Sequence, residues 1–508
     1  MGVKWTTDQQ HAIECCKGSV LVSAAAGSGK TAVLVERVIR RLTDEDNPCS
    51  AEDLLIVTFT RAATAQMREK IGAAILKRLS EDPTDRHLRR QYMLLPFAKI
   101  CTIDSFCNDL VRENFHALGI SPDYSLLDNE TAVIMKNDVC EAMLERAYEE
   151  DSDGSFSGLS DMMSSGSSDE DFAKLIIKMY DISTAYPFPD LWLDSLIEEY
   201  SQPDINKSCW GGIIKKYVCD MLDYCVSSSN DMMAAMESDS IVADAYGAAV
   251  QSDINMYAEL REKVNRDWDE ALEAFNTVEY MGLGRVPKGY ESETKNAVMT
   301  ARKKLKDLLK KVPNIMCVSS GEHSEDVRLM RGPVTKLIEL VKQFGREYSA
   351  EKDKMNSADF SDILHRALNL LAVSDGRGGY IKTDLARELS SHYAEILVDE
   401  YQDINEAQDM IFKAISADEN NLFTVGDVKQ SIYRFRQAMA EIFLRRRNTT
   451  HSFESGKYPL GITLGSNFRS RVGVTSCVNY IFRQLMSTEA GELEYDDSEA
   501  LNAAAKYP

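Results

Sequence analysis

Lys30 and Thr31 follow a run of small residues in SVLVSAAAGSGKT, residues 19–31. This is the spacing at which an ammonium and a hydroxyl can serve a bound triphosphate. Ala24, Ala25, Ala26, Gly27, Ser28 and Gly29 are small enough for backbone N–H groups to close around an anion. Lys30 would reach the β/γ-phosphates and Thr31 would bind Mg²⁺. Ala24 stands where the G-x-x-x-x-G-K-[ST] pattern has its first Gly. Far along the chain, Asp399 and Glu400 close the apolar run ILV. A carboxylate pair at such a strand end suits a metal shell, Asp399, and the orientation or deprotonation of attacking water, Glu400. Gln402 and Asp403 add two more polar groups within five positions. Gln430, after the short apolar run at 422–425, is placed to sense a γ-phosphate.

These residues need strands and helices to hold them. Residues 20–22 read as a strand, and KTAVLVERVIRRL carries apolar residues at helical spacing. A buried strand is expected at 53–60, then an amphipathic helix at 61–79. A third strand is expected at 98–103, a helix beyond it, and a fourth strand at 396–398. Asn47 and Pro48 mark a turn. Residues 458–464 read as the beginning of a second sheet unit. Thr6 and Gln9 have capping-box spacing. A side-chain amide just ahead of the phosphate loop can also read an adenine edge, and both readings of Gln9 stand together. Phe59, at a strand's carboxyl end, fits either a core aromatic or a platform for a base. Tyr433, Arg434, Phe435 and Arg436 interleave rings with cations, the composition of a single-strand stacking site. Phe468 could stack on adenine, and Arg469 could reach a nucleotide. Arg445, Arg446 and Arg447 have sufficient reason in the helix end that they face.

Residues 130–355 read differently. Strand signals nearly vanish, and helical segments alternate with three breaks. These are DSDGSFSGLSDMMSSGSSDED, expected as a flexible loop, MGLGRVPKGYESE, and the polar stretch at 321–327. The lysines at 303, 304, 306, 310 and 311 fit a solvated face or a phosphate contact.

Composition narrows the classes. The chain has 508 residues, 44% apolar and 27% charged, and a net charge of −23. That charge argues against indiscriminate nucleic-acid binding, though not against a local basic channel. The 11 cysteines show no C-x-x-C spacing, which argues for reduced thiols and against a zinc or iron–sulfur site. The seven histidines form no ligand cluster. No window spans a bilayer and no signal peptide is evident, so no membrane partner and a cytoplasmic location are expected.

The ordered set WTTDQ, AAAGSGKT, VTFTRAA, TIDSFC, LVDEYQD, VGDVKQSIYRFRQA and NFRS resembles superfamily 1 DNA helicases of the UvrD/Rep type. The segments IIKMYDISTAYPFPDLWLDSLIEEY and GELEYDDSEALNAAAKYP are similar to the AddA-type helicase–nuclease subunits of that group. The resemblance covers nearly the whole chain and is weakest from 225 to 355. It implies an α/β fold: a RecA-like P-loop motor domain with a parallel sheet, interrupted by a large all-helical insertion. The implied parts are motor domain at 1–128 and 358–450, insertion at 129–357, and the start of a second RecA-like domain at 451–508.

The resemblance further implies ATP and Mg²⁺ as ligands, with Gln9, Lys30, Thr31, Phe468 and Arg469 at the nucleotide. Asp399, Glu400 and Gln430 would serve hydrolysis and its coupling. Phe59, Thr60, Ser105, Tyr433, Phe435 and Arg436 would line a single-strand path. Asp104 stands where many members have His. Implied partners are single-stranded DNA, duplex ends and an AddB-type partner protein, with 3′→5′ polarity in double-strand-break repair. Members continue with the rest of the second motor domain and a nuclease domain. The expectation is therefore ATP·Mg binding with slow hydrolysis and no unwinding, since absent arginine-finger groups cost roughly 10³–10⁵ in turnover. Two rivals remain: a nucleotide- and single-strand-binding module without catalysis, and a P-loop ATPase acting on RNA or protein.

Overall fold

The computed structural model describes residues 4–15, 17–44, 49–152, 154–163 and 170–505. The chain divides into two compact units, Met1–Asp190 with Val341–Pro508, and Leu191–Leu340.

The first unit is built on a six-stranded sheet. In chain order its strands are β1 (Val20–Ala24), β2 (Leu54–Thr58), β3 (Lys99–Thr102), β4 (Glu395–Val398), β5 (Leu422–Gly426) and β6 (Leu460–Leu464). Their spatial order is β6-β1-β5-β4-β2-β3, and every pairing is parallel. β1, β2, β4 and β5 are buried along their whole length, so they read as continuous apolar runs rather than alternating ones. The pleat sends successive side chains to opposite faces. Leu21, Leu55, Val57, Ile396 and Val398 pack into one core, while Val20, Val22, Ile56, Leu397 and Val425 pack into the other. Helices α1 (Thr7–Glu14), α2 (Lys30–Leu42) and α3 (Arg61–Glu81) supply much of the second core. The parallel register brings the carboxyl ends of β1, β2, β4 and β5 to one edge, the edge at which open α/β sheets hold their ligands.

Several expectations change. Leu460–Leu464 does not open a second sheet. It pairs along its length with β1, Val20 opposite Leu460 and Ala24 opposite Leu464, and becomes the edge of the first sheet. Its apolar residues fill the flank that β1 otherwise leaves bare. Within the stretch expected as a flexible loop, Ser155–Met163 is helical, with Phe156 and Leu159 buried. Residues 164–169 and the turn at Asn47 and Pro48 lie outside the described residues. Residues 321–327 are no break; they belong to the helix Ser320–Lys354, with Val327 buried. The three arginines at 445–447 have ion-pair partners in Glu406, Glu419 and Glu499, so the helix end is not their only reason.

Between β3 and β4 the first unit has two small strand pairs. Ser125–Leu126 lies parallel to Ser357–Ala358, and Ala372–Ser374 forms a hairpin with Tyr380–Lys382 around residues 376–379. The second unit, among its described residues, is helical. Cys209–Met236, Ser240–Arg266, Trp268–Asn276 and Glu293–Leu309 enclose Leu222, Val250, Tyr257, Trp268 and Leu305. Its buried Arg302 makes a two-pronged contact with Asp253, at 2.5 and 2.9 Å, which neutralises both charges inside the bundle. No described helix is long and apolar enough to cross a membrane.

Candidate nucleotide site and single-strand path

The loop between β1 and α2 is held from three sides. Gly27 and Gly29 adopt positive φ, +72° and +85°, which a side chain would strain. Gly29 is the residue before α2, so the unpaired N–H groups of that helix's first turn face the loop. Ala25 N–H donates to the Leu464 carbonyl at 3.1 Å, which fastens the loop to β6. Gln9 supplies the second side. Its Oε1 accepts from Thr6 N–H at 3.0 Å, completing a capping box, and its Nε2 donates to the Ser28 carbonyl at 2.9 Å. One amide hydrogen of Gln9 remains for a ligand. The third side is residues 467–469. Asn467 Nδ2 donates to the Ala26 carbonyl at 2.7 Å, and Phe468 N–H to the Gly27 carbonyl at 2.9 Å. A Cβ added at Gly27 would lie 2.9 Å from the Cβ of Arg469. Phe468 and Arg469 therefore stand beside the loop.

Across the loop, Lys30 Nζ meets Glu400 Oε2 at 2.5 Å. Glu400 is in the left-handed region, φ +54°, immediately after β4. Asp399 N–H donates to the Val57 carbonyl at 2.9 Å, and Asp399 Oδ1 accepts from Glu400 N–H at 3.0 Å. Burial pushes the Asp399 carboxyl up to about 6; Lys30 opposes the shift and Glu400 adds to it. Asp403 is also pushed up to about 6, by burial and then by Glu400. Asp399, Glu400 and Asp403 crowd together, and Lys30, with Lys70 acting more weakly on Asp399, offsets only part of their negative charge, an excess that a divalent cation would relieve. Among the described residues no group of three or more His, Cys, Asp or Glu forms a metal cage. Ser28 Oγ is buried with no hydrogen-bond partner, as a loop shaped for an absent anion would leave it. Thr31 is half-buried, one residue into α2.

Gln430 is held by its own turn, Nε2 to Asp427 Oδ2 at 2.8 Å. One functional candidate had no role assigned from sequence. Gln402 is 1% exposed. Its Nε2 donates to Glu400 Oε2 at 3.0 Å, and its Oε1 accepts from Asp427 N–H at 2.9 Å. It joins the carboxylate pair to the Gln430 turn. The signal was an amide two places past Glu400 in a run of acids, where its two-sided hydrogen bonding has a use.

A second group lies along the ends of β2 and β5. The Phe59 and Tyr433 rings are 4.9 Å apart, and those of Tyr433 and Phe435 5.8 Å. The Arg436 guanidinium sits 5.3 Å from the Tyr433 ring and 5.6 Å from that of Phe435. Phe435 is 77% exposed, so its ring face is open to a stacking partner. A cavity of about 500 Å³ runs from Phe59, Thr60 and Asp104 to Asp399, Glu400 and Arg436, so the two groups are neighbours. Ser105 lines an adjoining cavity of about 470 Å³ with Phe59, Arg61 and Asp104. Its hydroxyl pairs with Thr102 at 2.9 Å, and Thr60 caps α3 through Ala63 N–H at 3.1 Å.

A phosphate loop at the carboxyl edge of a parallel sheet, faced by a strand-end carboxylate pair, defines a P-loop NTPase core. The UvrD/REP helicase N-terminal domain matches residues 5–451, and the chain belongs to that family. It is 36% identical to the A-type subunit of the ATP-dependent helicase/nuclease from Ruminiclostridium cellulolyticum, over 99% of this chain and 41% of the relative. It is 35% identical to the protein of that name from Clostridioides difficile, over 99% and 40%. With that from Lachnoclostridium phytofermentans the identity is 36%, over 99% and 37%. The chain spans about two fifths of the length of these curated relatives.

Proposed function

We propose that this chain carries the ATP-hydrolysing motor of a DNA translocase and helicase, the N-terminal part of a helicase–nuclease protein in double-strand-break repair. The observation that carries the reading is the Lys30–Glu400 contact at 2.5 Å, beside buried Asp399 and across from residues 467–469. Lys30 leaves Glu400 for the β/γ-phosphates when ATP enters, which frees the Glu400 carboxylate to orient and deprotonate water. Gln9 reads adenine with its remaining amide hydrogen, and Phe468 stacks on the base. Gln430 and Arg469 face the γ-phosphate. Thr31 and Asp399 hold Mg²⁺, which neutralises phosphate charge. Single-stranded DNA passes over Phe59, Tyr433 and Phe435, with Arg436, Thr60 and Ser105 toward its backbone. The exposed ring of Phe435 and the flanking guanidinium favour a nucleic acid over a protein substrate.

Residues 1–128 and 358–464 form the first motor domain in this reading, residues 129–357 its helical insertion, and the chain from 465 the start of a second. Duplex ends, an AddB-type partner, 3′→5′ polarity and a cytoplasmic location belong to the same reading. The test is Mg·ATP binding with ATP turnover measured with and without single-stranded DNA. Binding lost in Lys30→Ala, and DNA-stimulated turnover lost in Glu400→Gln, is the expected result. Nucleotide affinity indifferent to Lys30→Ala sinks the reading.

A further inference from the structure

The segment from 492 to 503 carries no role in the reading above, yet its side chains reach both functional groups. Glu499 is 3% exposed. Its Oε2 lies 2.6 Å from Lys429 Nζ, and its Oε1 pairs with Arg447. Lys429 Nζ is in turn 2.9 Å from Asp427 Oδ1. Two anions and two cations thus balance inside the protein, and Asp427 is the residue that holds the Gln430 amide. Charges buried this deeply are expensive unless fully paired, so each fixes the others.

Contacts on either side of Glu499 close a ring. Asn502 and Ala503 pair in parallel with Ser466 and Asn467, and Asn467 holds the phosphate loop at Ala26. From the loop the path runs through Lys30, Glu400, Gln402 and Asp427 to Lys429 and back to Glu499. A branch reaches the stacking group, where Glu492 lies against Arg434, the residue between Tyr433 and Phe435, which Glu441 also holds at 3.0 Å.

We propose that Glu499 is a positioning residue that, with Glu492, ties the Gln430 turn to the aromatic loop. Through it the state of the γ-phosphate sets the grip on single-stranded DNA. This rests on the motor reading above. Glu499 touches neither ligand and acts through Lys429 and Asp427. Coupling of this kind is a ratio of affinities, reciprocal between the two ligands, and typical values are about 5–150-fold.

The test measures binding of a fluorescent oligothymidylate by the full chain, with Mg²⁺ and either ADP or a non-hydrolysable ATP analogue. It also measures the affinity for each nucleotide alone. Wild type is expected to bind DNA at least about fivefold differently in the two nucleotide states. Glu499→Gln is expected to bring that ratio below about twofold. Its affinity for Mg·ADP, and for DNA without nucleotide, stays at the wild-type value. Glu499→Asp restores most of the ratio. Should Glu499→Gln fail to fold, Glu492→Gln carries the test. It removes a half-exposed pair, and a partial loss of the ratio is expected. A wild-type ratio retained in Glu499→Gln, or in Glu492→Gln where only that variant folds, overturns the proposal. So does a wild type whose DNA affinity ignores the nucleotide. A wild type that binds no nucleotide overturns the motor reading itself.

Discussion

Helix α2 meets β4 and the turn after it through an ion contact at each end, equally short at 2.5 Å, and the two differ in burial and in the number of partners. At the strand's first residue, Glu395 binds Arg37 at 2.5 Å and Arg41 at 3.2 Å. Arg37 is 2% exposed. It also donates to the Ala12 carbonyl at 2.7 Å and lies 4.0 Å from the Phe423 ring centre. The guanidinium is committed on every side. At the other end Lys30 makes its one direct ion pair among the described residues with Glu400, in a pair open to a cavity. An ammonium on a flexible stem can leave one partner for another, whereas a planar guanidinium packed on a ring cannot. The closed pair holds helix to sheet; the open pair is available for chemistry.

The comparison breaks most sharply at Glu400. Glu400→Gln should lower DNA-stimulated ATP turnover by roughly 10²–10⁴, the worth of a general base, with nucleotide still bound. Equal losses in binding and turnover would make Glu400 a structural partner like Glu395. At the closed end, Glu395→Gln removes the carboxylate that two buried arginines share and should cost about 3–5 kcal/mol of stability in urea unfolding. Nucleotide affinity of the folded fraction should be unchanged.

Tyr433→Ala should weaken single-strand binding by about 1–3 kcal/mol, read by anisotropy, and spare nucleotide affinity. The smallest effect concerns Asp399. Its folded pKa of about 6 lies above the ordinary 3.8, so the folded state holds the proton more tightly. This group's contribution to stability without ligand therefore rises as pH falls through 6 toward 3.8. Cation binding needs the carboxylate, so Mg·ATP affinity should fall over the same window, by roughly tenfold per unit at most. Asp399→Asn should weaken both trends, with Asp403, also pushed up to about 6, supplying what remains; thermal unfolding and Mg·ATP titration across pH 4–7 would reveal it.

The open pair was legible because its residue types have few other uses at that spacing: a Lys after a small-residue loop, and an acid pair after an apolar strand. The rings at 433 and 435 were legible for the same reason. Gln402 was not, because an amide in an acidic run has no signature until its two partners are in place. Nor was the place of Leu460–Leu464, since a strand's sequence says nothing of a neighbour some 440 residues earlier. Burial of Phe156 and Leu159 made a helix where Ser and Asp content suggested none. The Arg37–Glu395 pair escaped notice because a charged residue in an amphipathic helix ordinarily faces water.

The late arrival of β5 and β6 sets terms for synthesis on the ribosome. β1 leaves with the first 24 residues, but its two neighbours are residues 422–426 and 460–464. At about 5–20 residues per second, β1 waits roughly 20–90 s for both flanks. Throughout that interval Val20, Leu21 and Val22 are an apolar run without strand partners, an aggregation-prone segment. The phosphate loop gains its hydrogen bond to Leu464 only when β6 is in place. Full nucleotide affinity is therefore expected only once residue 464 has been made and has paired with β1.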